Sequence, residues 1–204
     1  MERWIVEPLK SVNGIEFGTK REIVREKIKK DYKEFKKNKF SKNTTDDYGT
    51  FHMFYNEKNS LIAVEIFRDI EVVVKNEIVF PGSLDKIKTI IPFLEKDDGC
   101  YCCSIFSVGV TAPEGMIESI VFGEQGYYPK YIKGVEEKNK LLEYKNFLVK
   151  QNSDLEYCLK NPSYGIINRG DGKKYAAGDI SRDMEYNNYI IQIIERQLKD
   201  EFNL

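Results

Sequence analysis

The chain is poor in the residues that carry most enzyme chemistry and in long apolar runs. Its 204 residues include one histidine, one tryptophan and four cysteines, and the formal net charge is only −1. No apolar run approaches the roughly 20 residues that a membrane-spanning helix needs, so no membrane partner is expected. A net charge this small gives the molecule no overall basic field, which argues against nucleic acid as the main partner. Residues 1–8 contain no apolar segment typical of a secretory signal.

Three of the four cysteines, Cys100, Cys102 and Cys103, lie within four residues of the sequence. A disulfide framework spreads its cysteines along the chain, and adjacent Cys102 and Cys103 would close only a strained ring. A zinc site needs a second pair of ligands, and the sequence offers only Cys158 and His52. The cluster therefore predicts reduced thiols on a strand of a cytoplasmic protein, with neither a metal nor another cofactor.

The single histidine, His52, lies in the apolar run 51–55, which is typical of a β-strand. A nucleophilic Cys–His pair needs only one histidine, so Cys102 or Cys103 with His52 gives a hydrolase-type alternative. No local motif marks either partner, because the patterns of phosphate-binding loops, serine hydrolases and zinc proteases are missing. The favoured interpretation is a structural histidine on a strand.

Three aspartates near the carboxyl end, Asp171, Asp179 and Asp183, give a second enzymatic alternative, because paired carboxylates act as general acid and base. Their spacing fits no ligand loop for a divalent cation. The simpler interpretation places Asp179 or Ser181 at the N-cap of the last helix. Asp183 then lies in the first turn, where the helix dipole favours acidic side chains.

The first 128 residues show the patterns of an antiparallel sheet with two short helices. An apolar stripe predicts a helix over 20–30, and Thr19-x-x-Glu22 has the form of a capping box. Turn residues between alternating apolar runs predict hairpins over 50–67 and 71–80. Ser83 is the expected N-cap of a second helix over 84–91. Strands are then expected over 100–111 and 116–122.

Two of these segments, 61–67 and 116–122, share one apolar pattern at an offset of 55 residues. Each follows a turn and ends in phenylalanine, and a helix precedes both sets of strands. The sequence therefore predicts a tandem repeat of a helix plus an antiparallel sheet, with units 1–79 and 80–128 sharing the sheet. The remaining residues, 129–204, are expected to form a helical extension with a glycine-rich loop. Its predicted helices are 134–150, 153–160 and 181–202.

The charges are distributed unevenly along the chain. Residues 20–42 contain eleven Lys or Arg and four acids, whereas 43–135 contain fourteen acids and eight Lys or Arg. A lysine-rich segment with aromatic residues suits nucleic acid as an alternative partner, and it suits an acidic protein equally well. Tyrosine is favoured at recognition surfaces. The partner contacts predicted from these patterns are Lys33, Lys36, Lys37, Lys39, Phe40, Tyr127 and Tyr128.

The segment Val12–Val24 contains the order Gly-Ile-x-Phe-Gly directly before the first predicted helix. It resembles the opening of small bacterial domains that place one or two helices before an antiparallel sheet. These include the tandem β-lactamase-inhibitor protein, lipoproteins of the outer-membrane assembly machinery, and some immunity proteins. The resemblance covers roughly residues 12–123, and it implies protein recognition by a sheet surface without catalytic residues. This chain has no lipobox cysteine, and 129–204 has no counterpart in the resemblance.

The sequence as a whole predicts an α+β protein with two helix-plus-sheet units and a helical carboxyl-terminal extension. The expected function is that of a cytoplasmic module that inhibits or sequesters another protein, of the immunity or anti-defence type, with no chemistry of its own. The alternatives are the hydrolase-type enzyme described above and a nucleic-acid-directed factor that uses the lysine-rich segment 20–42.

Overall fold

The computed structural model describes residues 1–37, 41–97, 99–128, 135–161 and 177–202. The chain divides into two compact units, Met1–Lys130 and Tyr131–Leu204. The class is α+β with a carboxyl-terminal helical segment, as the sequence predicts. The division of the first unit at residue 79 and its origin as a tandem repeat stay predictions.

The first unit builds two sheets and two short helices. Its described elements follow in the order β1 (Glu2–Glu7), β2 (Ser11–Val12), β3 (Ile15–Glu16), α1 (Arg21–Ile28), β4 (Lys33–Phe35), β5 (Thr45–Asp47), β6 (Phe51–Tyr55), β7 (Leu61–Ile66), β8 (Ile70–Val74), β9 (Glu77–Phe80), α2 (Leu84–Ile90), β10 (Glu95–Asp97), β11 (Cys100–Cys103), β12 (Val108–Thr111) and β13 (Ser119–Gly123). The smaller sheet has the strand order β3-β2-β1-β8-β9, and the larger has the order β10-β11-β12-β13-β7-β6-β5-β4. All neighbours in the larger sheet are antiparallel.

One face of the eight-stranded sheet forms an apolar core. Residues that lie opposite one another on neighbouring strands point to the same face. Such a row runs across the centre of the sheet from Met53 through Val64, Phe122 and Val108 to Cys103. All five side chains are buried. Hydrophobic burial along this row, and along the parallel row through Phe51 and Ile120, is what holds the strands in register.

The two predicted hairpins are confirmed by β6 with β7 and by β8 with β9. The N-cap prediction for the second helix is also confirmed, since Ser83 accepts a hydrogen bond from the Lys86 N–H at 3.3 Å. The capping box at Thr19 is wrong. The N-cap of α1 is Lys20, which provides no side-chain cap, and the Thr19 hydroxyl instead donates to the Glu16 carbonyl.

The second unit contains two long helices, α3 (Val135–Lys160) and α4 (Ala177–Phe202). They pack antiparallel, as shown by contacts of Gln151 with Asn187 and of Lys145 with Glu195. Most of their buried side chains recur at spacings of three, four or seven residues, which is the pattern of a coiled-coil seam. The buried side chains are Leu141, Tyr144, Leu148 and Leu155 on α3, and Ile180, Asn187, Ile190, Ile193, Ile194, Gln197 and Leu198 on α4.

Two predictions for these helices are wrong. The predicted break between 150 and 153 does not exist, because α3 is continuous through it. Gln151 and Asn152, which lie between the two predicted helices, both accept hydrogen bonds from the buried Asn187 amide, each at 2.9 Å. The last helix begins at Ala177, so neither Asp179 nor Ser181 is its N-cap, and Asp179 lies in the first turn.

Candidate recognition face of the eight-stranded sheet

The face of the large sheet opposite the apolar core carries a mixture of aromatic, charged and small residues. We name it the second face. Its central row runs from His52 through Glu65, Val121 and Gly109 to Cys102. Because side chains alternate along each strand, this row points away from the core row that lies beside it. The second face therefore combines functional groups that are distant in the sequence.

Three phenylalanine rings surround the imidazole of His52 on this face. The ring centroids of Phe35, Phe54 and Phe67 lie 5.0, 6.1 and 4.8 Å from that of His52. Phe54 is buried, whereas the other three rings are half-buried. This is an aromatic cluster that keeps part of its surface in contact with solvent. Sequence reasoning found His52 but not Phe54, although the alternation along β6 places both on one face.

Two carboxylates fix the orientation of the histidine ring. Glu65 Oε2 lies 3.2 Å from His52 Nδ1, and Asp47 Oδ1 lies 3.6 Å from Nε2. Asp47 also accepts a hydrogen bond from the Gly49 N–H at 2.7 Å. Both ring nitrogens therefore face carboxylates, and these two contacts orient the imidazole.

The structure brings two of the predicted contact lysines to this cluster. Lys33 is opposite Asp47 in the β4–β5 register, and the Lys37 ammonium lies 4.8 Å above the Phe54 ring. Lys36 is exposed close by. In the described part of the chain, no ion pair is found for these three lysines. Their neighbours Lys30 and Lys42 pair with Glu2 and Glu57, respectively. Lys39 and Phe40 lie outside the described residues.

Tyr127 and Tyr128 lie on the same face, over the other half of the sheet. A Cβ at Gly123 would lie 2.5 Å from the Cβ of Tyr127, and a Cβ at Gly109 would overlap the ring and hydroxyl of Tyr128. Both rings are half-buried, and burial raises the pKa of both phenols. Tyr128 therefore covers the sheet with its hydroxyl end and Tyr127 with the base of its ring, at positions where only glycine leaves room.

The structure keeps the proposed nucleophile pair apart. Cys102 lies on the second face with His52, but four strands away, which corresponds to ~19 Å. Cys103 points into the core on the opposite face, where its thiol contacts the Pro92 carbonyl at 3.4 Å. Burial raises the pKa of Cys102 to about 11 and that of Cys103 to about 12. A nucleophilic cysteine needs the opposite shift, toward the thiolate at neutral pH.

The carboxylates of the second enzymatic alternative are not assembled either in the part that the structure describes. Asp171 lies outside the described residues, and Asp179 and Asp183 lie on α4, where Asp179 is 3.7 Å from Arg182. Within the described ranges, no group of three or more histidine, cysteine or acidic side chains is arranged to hold a metal ion. No described helix has both the length and the apolar composition of a membrane span.

A buried ionic cluster lies beneath the lysine-rich strand, and the sequence patterns did not reveal it. The Asp46 carboxylate is completely buried on β5 and accepts hydrogen bonds from Arg21, Arg25 and the Tyr55 hydroxyl. Burial by itself would raise the pKa of Asp46, but the hydrogen bonds from Arg25 and Arg21 lower it. Arg25 also pairs with Glu34 at 2.7 Å. The cluster thus joins α1, β5 and β4, and it holds β4 at the edge of the sheet.

Comparisons with protein-family models, with curated proteins and with solved structures found no match to this chain.

Proposed function

We propose that the chain is a protein-binding module that inhibits or sequesters another protein by covering part of its surface. The observation that carries this proposal is the aromatic cluster around His52, half-exposed and bordered by Lys33 and Lys37. An apolar centre with a charged rim is the usual anatomy of a protein interface. The chain supplies no chemistry of its own in this account.

The charges of the rim indicate the kind of partner. Lys33, Lys36 and Lys37 are exposed and have no ion pair among the described residues. A partner that presents acidic residues around an apolar patch would complement both the lysines and the phenylalanine rings. Such complementarity speeds association and excludes basic competitors more than it adds affinity.

The rings supply the area that a stable complex needs. The rings of Phe35 and Phe67 both contact the imidazole of His52. Glu65 and Asp47 fix the orientation of that imidazole. A cluster fixed in this way loses little conformational freedom when a partner binds, so less of the binding free energy is spent on ordering. Aromatic side chains are also enriched among the residues that dominate binding energy.

The test is affinity capture with the tagged full chain from host lysate, read by mass spectrometry, with and without nuclease. We expect one stoichiometric acidic protein that survives nuclease treatment. The double variant Lys33→Glu/Lys37→Glu should lose it, and Phe67→Ala should weaken its capture at least tenfold. The matched control Lys58→Glu/Lys150→Glu reverses two exposed charges elsewhere and should capture it fully.

Two outcomes would contradict the proposal. Capture that disappears with nuclease would assign the lysines to nucleic acid instead. The other outcome is that the control variant loses the partner as readily as the Lys33→Glu/Lys37→Glu variant does. That result would show a nonspecific effect of charge and not a binding face.

A further inference from the structure

The eight-stranded sheet ends in two short edge strands whose charges are opposite in pattern. At one end β4 reads Lys33-Glu34-Phe35, and at the other end β10 reads Glu95-Lys96-Asp97. In the described part of the chain, each pairs with a neighbour on one side only. The outer side of such a strand can pair with a further strand through backbone hydrogen bonds.

On both edge strands, the first and third side chains point to the second face of the sheet. Lys33 and Phe35 point to the second face, since they lie opposite Asp47 and Thr45. Glu95 and Asp97 also point to the second face, since they lie opposite Cys102 and Cys100. An antiparallel pairing of Lys33 with Asp97, and of Glu34 with Lys96, therefore continues both faces of the sheet without interruption.

In that register Lys33 and Glu34 each face a charge of opposite sign, and Phe35 faces Glu95. Lys33 meets Asp97 on the second face, and Glu34 meets Lys96 on the core face. Pairing of like edges is repulsive by the same reasoning. Two copies of β10 centred on Lys96 would oppose lysine to lysine and Glu95 to Asp97, and two copies of β4 centred on Glu34 would oppose the two glutamates. Opposite charges that face each other on adjacent strands stabilise the pairing, and like charges destabilise it.

We propose that β4 of one molecule pairs with β10 of a second copy of this chain, so that the sheet continues from molecule to molecule. The charges allow this heterologous contact and oppose the two symmetric ones. A heterologous contact leaves one β4 and one β10 unpaired at the ends of each assembly, so it builds short open chains or closes into a ring. With three residues on each edge, the contact is weak and responds strongly to concentration. This inference concerns the backbone edges of the sheet. It shares Lys33 with the proposed binding face, but it is tested by the oligomeric state and not by capture of a partner, so either proposal can fail alone.

The experiment is sedimentation velocity of the full chain over a wide concentration range. Wild type should associate beyond a dimer at low salt and dissociate at about 1 M salt, where charge interactions are screened within ~3 Å. The single variants Lys33→Asp and Asp97→Lys each place like charges opposite one another. Each should associate about tenfold more weakly than wild type.

Mixing the two single variants tests directly whether residue 33 of one molecule faces residue 97 of another. The aspartate introduced at position 33 of one variant then faces the lysine introduced at position 97 of the other, and the unchanged Lys33 faces the unchanged Asp97. The mixture should therefore recover association close to that of wild type, and the double variant Lys33→Asp/Asp97→Lys should recover it alone. Lys58→Asp, an exposed change away from both edges, should behave as wild type, and circular dichroism verifies that every variant is folded.

Three results would overturn the inference. The first is a wild-type chain that is monomeric at every concentration. The second is association that is unaffected by either single variant. The third is a mixture that associates no better than its separate components.

Discussion

The two halves of the eight-stranded sheet contain the same sequence of elements but are stabilised by different interactions. In each half a short helix precedes four antiparallel strands, α1 with β4 to β7 and α2 with β10 to β13. The first half buries an ionic cluster around Asp46, whereas the second half has the thiol of Cys103 and apolar side chains on the same face. The first half thus adds a buried ionic cluster to the apolar packing that both halves share.

The second face differs between the halves as well. In the first half, half-buried rings and exposed lysines surround His52. In the second half, Tyr127 lies over Gly123 and Tyr128 over Gly109, with their rings at 84° to each other. The first half thus leaves its rings and lysines partly exposed to solvent, whereas the two tyrosines cover part of the second half.

The largest effect is expected from breaking the ionic cluster of the first half with Asp46→Asn. The amide cannot neutralise the buried guanidinium of Arg21, so the free energy of unfolding should fall by about 3–5 kcal/mol. Urea unfolding measures this change. Asp47→Asn, on the same strand but half-exposed, serves as control and should cost about 0.5 kcal/mol or less. Equal losses in the two variants would show that burial of Asp46 has no special weight.

An intermediate effect is expected from Gly109→Ala in the second half. The added methyl group overlaps the Tyr128 ring, so we expect a loss of about 1–3 kcal/mol in the free energy of unfolding. In a Tyr128→Ala background the same change should cost much less, since the overlapping ring is gone. A cost that is the same in both backgrounds would mean that Tyr128 does not lie over Gly109 in solution.

The smallest effect is expected in the pH dependence of the free energy of unfolding, to which Asp46 of the first half contributes. The arginines hold the pKa of Asp46 below its ordinary value in the folded chain, so the unfolded chain binds this proton more tightly. The stabilisation is complete above the unfolded value of about 3.9 and is lost as the pH falls through the lower folded pKa. Urea unfolding at neutral and at low pH should show a smaller loss in Asp46→Asn than in wild type. An identical loss in both would place the acid sensitivity elsewhere.

Local patterns predicted much of the sheet, because hairpins and helix caps depend on neighbouring residues. The turn at 56–60 and the Ser83 cap are examples. Interactions between distant residues were not predictable in this way. Asp46 binds Arg21, which lies 25 residues away in the sequence. β4 lies in a lysine-rich segment, and its charged residues lack the apolar alternation that predicts a strand. The continuity of α3 through Gln151 and Asn152 is a further example, because their hydrogen bonds come from Asn187 on α4.

The residues of the second face also divide into those that the sequence indicated and those that only the fold brings together. Lys33, Lys37, Tyr127 and Tyr128 were singled out from charge and composition, and the fold places all four on the second face. Phe67 was missed, and Phe35 was considered only as a base-stacking residue of the lysine-rich segment, because only the pairing of strands brings both to His52.

Hydrogen–deuterium exchange of the chain alone and in its captured complex tests the central claim most directly. The account predicts that binding slows exchange in β4, β5 and β6 and in the residues around Phe67, with little change in β11, β12 and the two long helices. Protection confined to the helices or to the second half of the sheet would contradict it.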